Sequence, residues 1–238
     1  MRLADITAWL DRALMPETFD DVSNNGLQIG RSGDEVRKVA FAVDASAEAI
    51  RAASAVGAQL LVVHHGISWG GGIRRIVDGE YAVVKAAMDA DIALYASHLP
   101  LDANRKYGNN WEIARFLKLR RIRPAFSYHG NVIGVVGEAT RTARVELGTA
   151  AAPLVKGETV GVCSGGAGEF AAEAKSLGCR LYVTGEASWG DVIAAQNAGA
   201  SLVCCGHYET ETFGVSALAR AMAKDLDVKT VFVDSRRS

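Results

Sequence analysis

"KVAFAVDASAEAIRAASAVGAQLLVVHHG", residues 38–66, decides the architecture. An apolar run ends at Asp44, a stretch of helix formers follows and stops at Gly57, and a second apolar run ends at His64, His65 and Gly66. A helix-length connection between two strands argues for a parallel pair, since antiparallel neighbours need only a tight turn. Unbroken apolar strands, without polar alternation, are those covered on both faces. The stretch therefore predicts a βαβ unit with helices packed on a largely parallel sheet.

The same logic extends outward. Upstream, Leu3, Ile6, Leu10 and Leu14 recur at helical spacing over residues 3–14, and "MPETFDDVSNNGLQIG" (15–30) is rich in turn formers. Downstream, "EYAVVKAAMDA" (80–90) predicts a helix and "IALYASH" (92–98) a strand that stops at His98. The second half repeats the plan. "TVGVCSG" (159–165), "GEFAAEAKSLG" (168–178), "CRLYVTGE" (179–186), "DVIAAQNAG" (191–199) and "ASLVCCGHYETE" (200–211) follow in the same order. The offset is 121 residues through the first two strands and 109 at the last, because the first half carries a longer loop containing "GISWGGGIRRIVDG". The expected fold is α/β: two similar βαβαβ units from an internal duplication, with parallel or mixed sheets and a metal cleft between them. The division expected is 1–124, including the N-terminal helix, and 125–238, with no inserted third domain.

Composition narrows the function. With 238 residues, 49% hydrophobic and 22% charged, the chain has the makeup of a globular protein. A net charge of −1 supplies no global attraction to nucleic acid or anionic membrane. No apolar run reaches the roughly 18–20 residues of a membrane span, and the acidic, amphipathic N-terminus does not read as a signal peptide. Cys163, Cys179, Cys204 and Cys205 lie in apolar contexts without a CxxC pair, as reduced core residues do. The expected location is the cytoplasm.

Four of the five histidines fall just past strand ends, where open parallel sheets place ligand sites. These are His64, His65, His98 and His207. Carboxylates follow two of them at a spacing of four, His98 with Asp102 and His207 with Glu211. On a helix that spacing puts both side chains on one face, although Pro100 complicates the first pair. Imidazoles with carboxylates are the ligand set of borderline divalent ions such as Zn, Mn, Fe, Co or Ni. So many donors exceed the needs of one ion with an open position and suit two ions about 3.5–4 Å apart. By the internal repeat Glu186 stands where His65 does, and so also approaches the cleft. His129 has no nearby acid and reads as a loop residue.

In this order "AVDAS", "VVHHG", "SHLPLDA", "YVTGE" and "GHYETE", with "NNGLQIG" before them, resemble the Nif-three-like dinuclear metal-centre family, also known as GTP cyclohydrolase I type 2 homologues. The match runs from about residue 20 to about 235. It implies two divalent ions per subunit held by His64, His65, Asp102, His207 and Glu211, and it places His98 close to them. It also implies a homohexamer. Two departures stand out. "HHG" replaces the His-His-Pro of many members, and Trp189 sits in "TGEASWGD" where other members carry polar residues.

The reading favoured by these observations is a metal-dependent hydrolase acting on a nucleotide-like or phosphoester substrate, with His98 or Glu186 relaying protons. The alternative is a non-enzymatic metal-binding, regulatory or metal-delivery hexamer. Three further segments are weighed beside the site. "GISWGGGIRR" reads as a flap or a plain exposed loop, with Trp69 to cover a cleft and Arg74 and Arg75 to meet a phosphate. "SGGAGE" (164–169) is a glycine-rich strand-to-helix turn without a GxGxxG or Walker pattern. Arg115, Lys118, Arg120, Arg121 and Arg123 read as a solvated helix end and only weakly as a nucleic-acid surface.

Overall fold

The computed structural model describes residues 1–234 and Arg236. In chain order the elements are α1 (Leu3–Leu14), β1 (Gly26–Ile29), β2 (Lys38–Asp44), α2 (Ala47–Ala55), β3 (Leu60–His65), α3 (Asp78–Asp89) and β4 (Ala93–Ala96). There follow α4 (Leu99–Ala103), α5 (Asn109–Phe116), β5 (Leu119–Tyr128), β6 (Asn131–Ala139), β7 (Ala143–Leu147), β8 (Ala150–Leu154) and β9 (Thr159–Cys163). The chain closes with α6 (Ala171–Ser176), β10 (Cys179–Thr184), α7 (Trp189–Ala198), β11 (Leu202–Cys204), α8 (His207–Asp225) and β12 (Lys229–Phe232).

Two compact units result, and they are not contiguous in sequence. The first is Met1–Leu101 with Val215–Ser238, the second Asp102–Gly214. The sequence division at 124 thus differs in two places. Residues 102–124 pack with the second unit, because α5 supplies Ile113, Ala114 and Leu117 to its core. The C-terminal segment returns to the first unit, because β12 adds a parallel strand to β2.

The first unit is a five-stranded sheet in the order β1-β4-β3-β2-β12, parallel except for β1. Side chains of successive strand residues point to opposite faces. One face carries Ala40, Ala42, Leu61, Val63 and Leu94 against Ala49, Ile50 and Ala53 of α2 and Ala87 of α3. On β4, Tyr95 alternates with these, and its hydroxyl donates to Asp11 Oδ1 of α1 at 2.7 Å. α1 buries Leu3, Ile6, Leu10 and Leu14, the four residues whose spacing predicted it. Ser46 caps α2 by accepting from the Ala49 N–H at 3.0 Å, and Gly57 leaves the helix at φ +73°, a conformation costly for other residues.

The second unit has a sheet in the order β11-β10-β9-β6-β5 and a separate β7–β8 hairpin. Its parallel strands β9, β10 and β11 pair in the same order as β2, β3 and β4. β6 and β5 extend it antiparallel, with His129 in their turn. The basic run is mostly strand and not helix end: α5 stops at Phe116 and Arg120, Arg121 and Arg123 lie on β5. Arg120 and Arg121 both pair with Glu138 of β6, which neutralises part of the patch.

Candidate metal centre

In the first unit, β3 ends on His64 and His65, and His98 follows β4. Because β3 and β4 are parallel neighbours, their carboxyl ends bring the three rings together. Ring centroids are 4.6 Å apart for His64–His65, 5.1 Å for His64–His98 and 5.6 Å for His65–His98. One ring nitrogen from each lies within 4.8 Å of the others.

What orients the rings is the Nδ1 side of each. His64, fully buried, sets Nδ1 3.0 Å from the Ser97 carbonyl. His65 sets Nδ1 2.8 Å from Asp44 Oδ1 at the end of β2, and His98 sets Nδ1 2.9 Å from Asp21 Oδ1. Metal-bound histidines characteristically engage their second nitrogen in this way, with a carbonyl or a carboxylate, which fixes tautomer and ring plane. A cation would then take Nε2 of His64 and His65, with the His98 ring beside them. The donor chemistry fits a divalent ion of the borderline class.

Asp21 is itself built in. Its carboxylate also receives Asn25 Nδ2 at 2.9 Å and the N–H groups of Ser23 at 3.1 Å and Leu99 at 3.0 Å. Burial works to raise its pKa, but the hydrogen bonds from His98 and Asn25 overcome this and hold it at about 2. Asn25 Oδ1 accepts the His98 N–H at 2.8 Å. "NNGLQIG" also fastens the loop after the histidines. Gln28 Oε1 accepts from Ile67 N–H at 2.8 Å, Asn24 Nδ2 donates to Ser68 Oγ at 2.7 Å, and the Gly70 N–H reaches the Val22 carbonyl at 2.6 Å. The near half of the expected flap is therefore pinned. Gly66 packs so closely that a Cβ would meet Gln28 Oε1 at 2.3 Å.

In the second unit, α8 begins at His207, so the four-residue spacing acts as predicted: His207 Nε2 lies 3.0 Å from Glu211 Oε1. Glu186, past β10, reaches His207 Nδ1 at 3.0 Å. The hydrogen bond to Glu211 outweighs burial and, with the pull of Glu186, raises the His207 imidazole to about 9. Asp102, buried in α4, accepts from Asn109 Nδ2 at 2.9 Å and Ser164 Oγ at 3.1 Å. Pro100 does not prevent α4, since the first turn of a helix needs no proline N–H.

The glycine-rich turn serves this pair and is not an open anion cradle. Two of its N–H groups are already taken, Ser164 by Asn110 Oδ1 at 2.6 Å and Gly165 by Thr210 Oγ1 at 3.1 Å. Gly165 has φ +67°, and a Cβ there would lie 2.5 Å from Glu211 Oε1. Trp189 is 75% exposed at the start of α7, behind a capping box of Ser188 and Asp191.

Asp21, Asp44, Asn109 and Asn110 escaped the sequence reading. The buried Asn109 and Asn110 carried one signal, two adjacent amides opening a helix that also buries Trp111, Ile113 and Ala114. Asn109 ties Asp102 to the backbone of α8, accepting the Gly214 N–H at 2.6 Å. No helix among the described residues is long and apolar enough to cross a membrane.

Comparison with known proteins gives the same answer throughout. A protein called GTP cyclohydrolase 1 type 2 homolog from Archaeoglobus fulgidus is 40% identical over 244 residues, covering 98% of both chains. One of the same name from Pyrococcus abyssi is 36% identical over 249 residues, covering 99% of this chain and 98% of its own. Among solved structures, protein ybgI, described as of unknown function, superposes with a TM-score of 0.84 at 26% identity, covering 98% of each chain. TTHA1606 from Thermus thermophilus gives 0.79 at 29% identity, also covering 98% of each. The family model Duf34/NIF3 (NGG1p interacting factor 3) matches residues 1–238, and the chain belongs to that family.

Proposed function

We propose that the protein is a metal-dependent hydrolase with two divalent ions per subunit, held by His64, His65, Asp102, His207 and Glu211, and that its substrate is nucleotide-like or a phosphoester. The observation that carries the metal reading is the set of three imidazoles whose Nδ1 atoms are each secured by an outer acceptor. Bound there, the ions supply Lewis acidity, which polarises an electrophile and makes water nucleophilic near neutral pH. The names of the curated relatives, GTP cyclohydrolase 1 type 2 homolog, support a hydrolytic reading.

The remaining residues take roles from their partners. Asp21 accepts the Nδ1 proton of His98, so Nε2 of that ring is a proton acceptor facing His64 and His65. His98 is therefore assigned proton transfer at the nucleophile. Glu186, which the repeat suggested as a second relay, is assigned the orientation of His207 through Nδ1. Asn109 and Ser164 hold Asp102 in place.

The test is elemental analysis of protein purified without chelator, followed by turnover of a nucleotide and phosphoester panel with Mn, Zn or Fe. Two ions per chain and an activity abolished by His64→Ala and by Glu211→Ala are expected. Absence of bound transition metal would refute the centre. Full loading without turnover of any substrate class would refute the hydrolase and leave the metal-carrying alternative.

A further inference from the structure

Beside the imidazole cluster, within the first unit, lies a cleft of about 380 Å³ lined by Ile67, Trp69, Ile73, Arg74, Arg75 and Glu80 among others. The volume is at the lower end of small-molecule sites, ~300–1,000 Å³. We propose that this cleft binds the substrate of the adjacent centre, with Trp69 as a stacking wall and Arg74 and Arg75 as the anion clamp. The ligand class is a phosphorylated molecule with a planar ring, of the mononucleotide kind. The proposal rests on the metal-centre reading for its adjacency to chemistry, and on its own observations for the ligand.

Trp69 is shared between the two places. Its ring meets His98 edge-on with centroids 5.2 Å apart and His65 at 6.0 Å, while it also lines the cleft. It is held there: Nε1 donates to the Gly66 carbonyl at 2.9 Å, and its backbone forms a bridge with Ser23. A fixed, half-open indole 37% exposed is a platform for a planar ring and loses little entropy on binding.

The charge is the second observation. Arg2, Arg31, Arg115, Arg120 and Arg121 each pair with a carboxylate. Among the described residues, Arg74 and Arg75 have no ion pair, although Glu80 lines the same cleft. Two guanidinium groups against one carboxylate leave the lining cationic. A guanidinium fork matches phosphate oxygens in paired, charge-assisted hydrogen bonds. Gly71 permits this, since a Cβ there would already lie 3.1 Å from Arg74 Nη2.

The test is calorimetric titration of the metal-loaded full chain with GMP, AMP, guanosine and inorganic phosphate, with elemental analysis of the same samples. The nucleotides should bind. The double variant Arg74→Gln/Arg75→Gln should weaken both nucleotides by about tenfold or more and leave guanosine unchanged. Arg74→Lys/Arg75→Lys should fall between, and Trp69→Leu should weaken nucleotide and nucleoside alike. Metal content should equal that of the parent in every variant. Nucleotides that bind the Gln variant as tightly as the parent, or fail to bind a fully metal-loaded parent at millimolar concentration, overturn the cleft. Nucleotide binding with no bound metal would refute the metal centre and leave the cleft standing.

Discussion

The contrast between Asp21→Asn and Asp44→Asn tests the outer-partner logic most directly. Asp21 is 1% exposed at its side chain and receives four donors, His98 Nδ1 and Ser23 N–H on Oδ1, Asn25 Nδ2 and Leu99 N–H on Oδ2. An asparagine keeps one oxygen. Whichever way the amide turns, two donors then face an NH₂ group. A buried donor left without its acceptor costs roughly 1–3 kcal/mol, so the metal-free protein should lose at least about 2 kcal/mol. For a chain of this size that lowers Tm by about 4–8 °C. His98 loses its orienting acceptor as well, so turnover by the metal-loaded protein should fall while metal affinity stays near the parent value.

Asp44 stands in a different setting. Its carboxylate is 45% exposed and accepts from His65 Nδ1, so solvent replaces what the substitution removes. Asp44→Asn should change metal-free stability by less than about 0.5 kcal/mol. Its metal affinity should nevertheless fall roughly 10–100-fold, because it orients the proposed ligand His65. Thermal unfolding by circular dichroism and competition against a chromogenic chelator measure the two quantities separately. Parental metal affinity in Asp44→Asn would refute that carboxylate as an orienting partner, and parental turnover in Asp21→Asn would refute the same role for Asp21. Parental stability in metal-free Asp21→Asn would refute the hydrogen-bond network around it.

Gly165→Ala should destabilise by about 1–2 kcal/mol from the left-handed backbone alone and, by displacing Glu211, should weaken metal binding; chelator competition and thermal unfolding check both. Burial raises the Cys179 and Cys205 thiols to about 11 and holds the Cys163 thiol well above its ordinary value. At pH 8 a thiol of that pKa is thiolate only at roughly one part in a thousand, so a disulfide reagent should modify these three slowly in native protein and all four after unfolding. Native reactivity should climb as pH rises towards 11, not around 8.5. Light scattering should give six chains of 25.2 kDa, about 151 kDa; a monomer mass would refute the assembly the resemblance implies.

The parts legible in the sequence were those set by neighbours along the chain. β2 matches residues 38–44 residue for residue, α1 buries the four leucine and isoleucine positions that predicted it, and the His207–Glu211 pair follows from one helical turn. The parts that were not legible depend on long separations. His98 meets Asp21 across 77 residues and His65 meets Asp44 across 21, and no local period encodes either. β5 was hidden for a different reason. Arg121 adopts φ +52° and the register shifts between Arg120 and Arg123, so the alternation that marks a strand is broken where the charges lie.

The three outer acceptors come from three different parts of the first unit, and this ties the donor cluster to the fold. The Ser97 carbonyl follows β4, Asp44 closes β2, and Asp21 belongs to the N-terminal loop. Loosening any one segment frees a ring to rotate and removes an oriented donor. A cation that engages His64 and His65, packed against His98, therefore stabilises the sheet ends and the loop together, because binding to the folded state alone shifts the unfolding equilibrium. Hydrogen exchange should show this as slower opening of the Ser97–Leu99 and Ser23–Asn25 amides when metal is added. Slowing confined to His64 and His65 would mean that the outer acceptors are bystanders, and the coupling between site and fold would have to be abandoned.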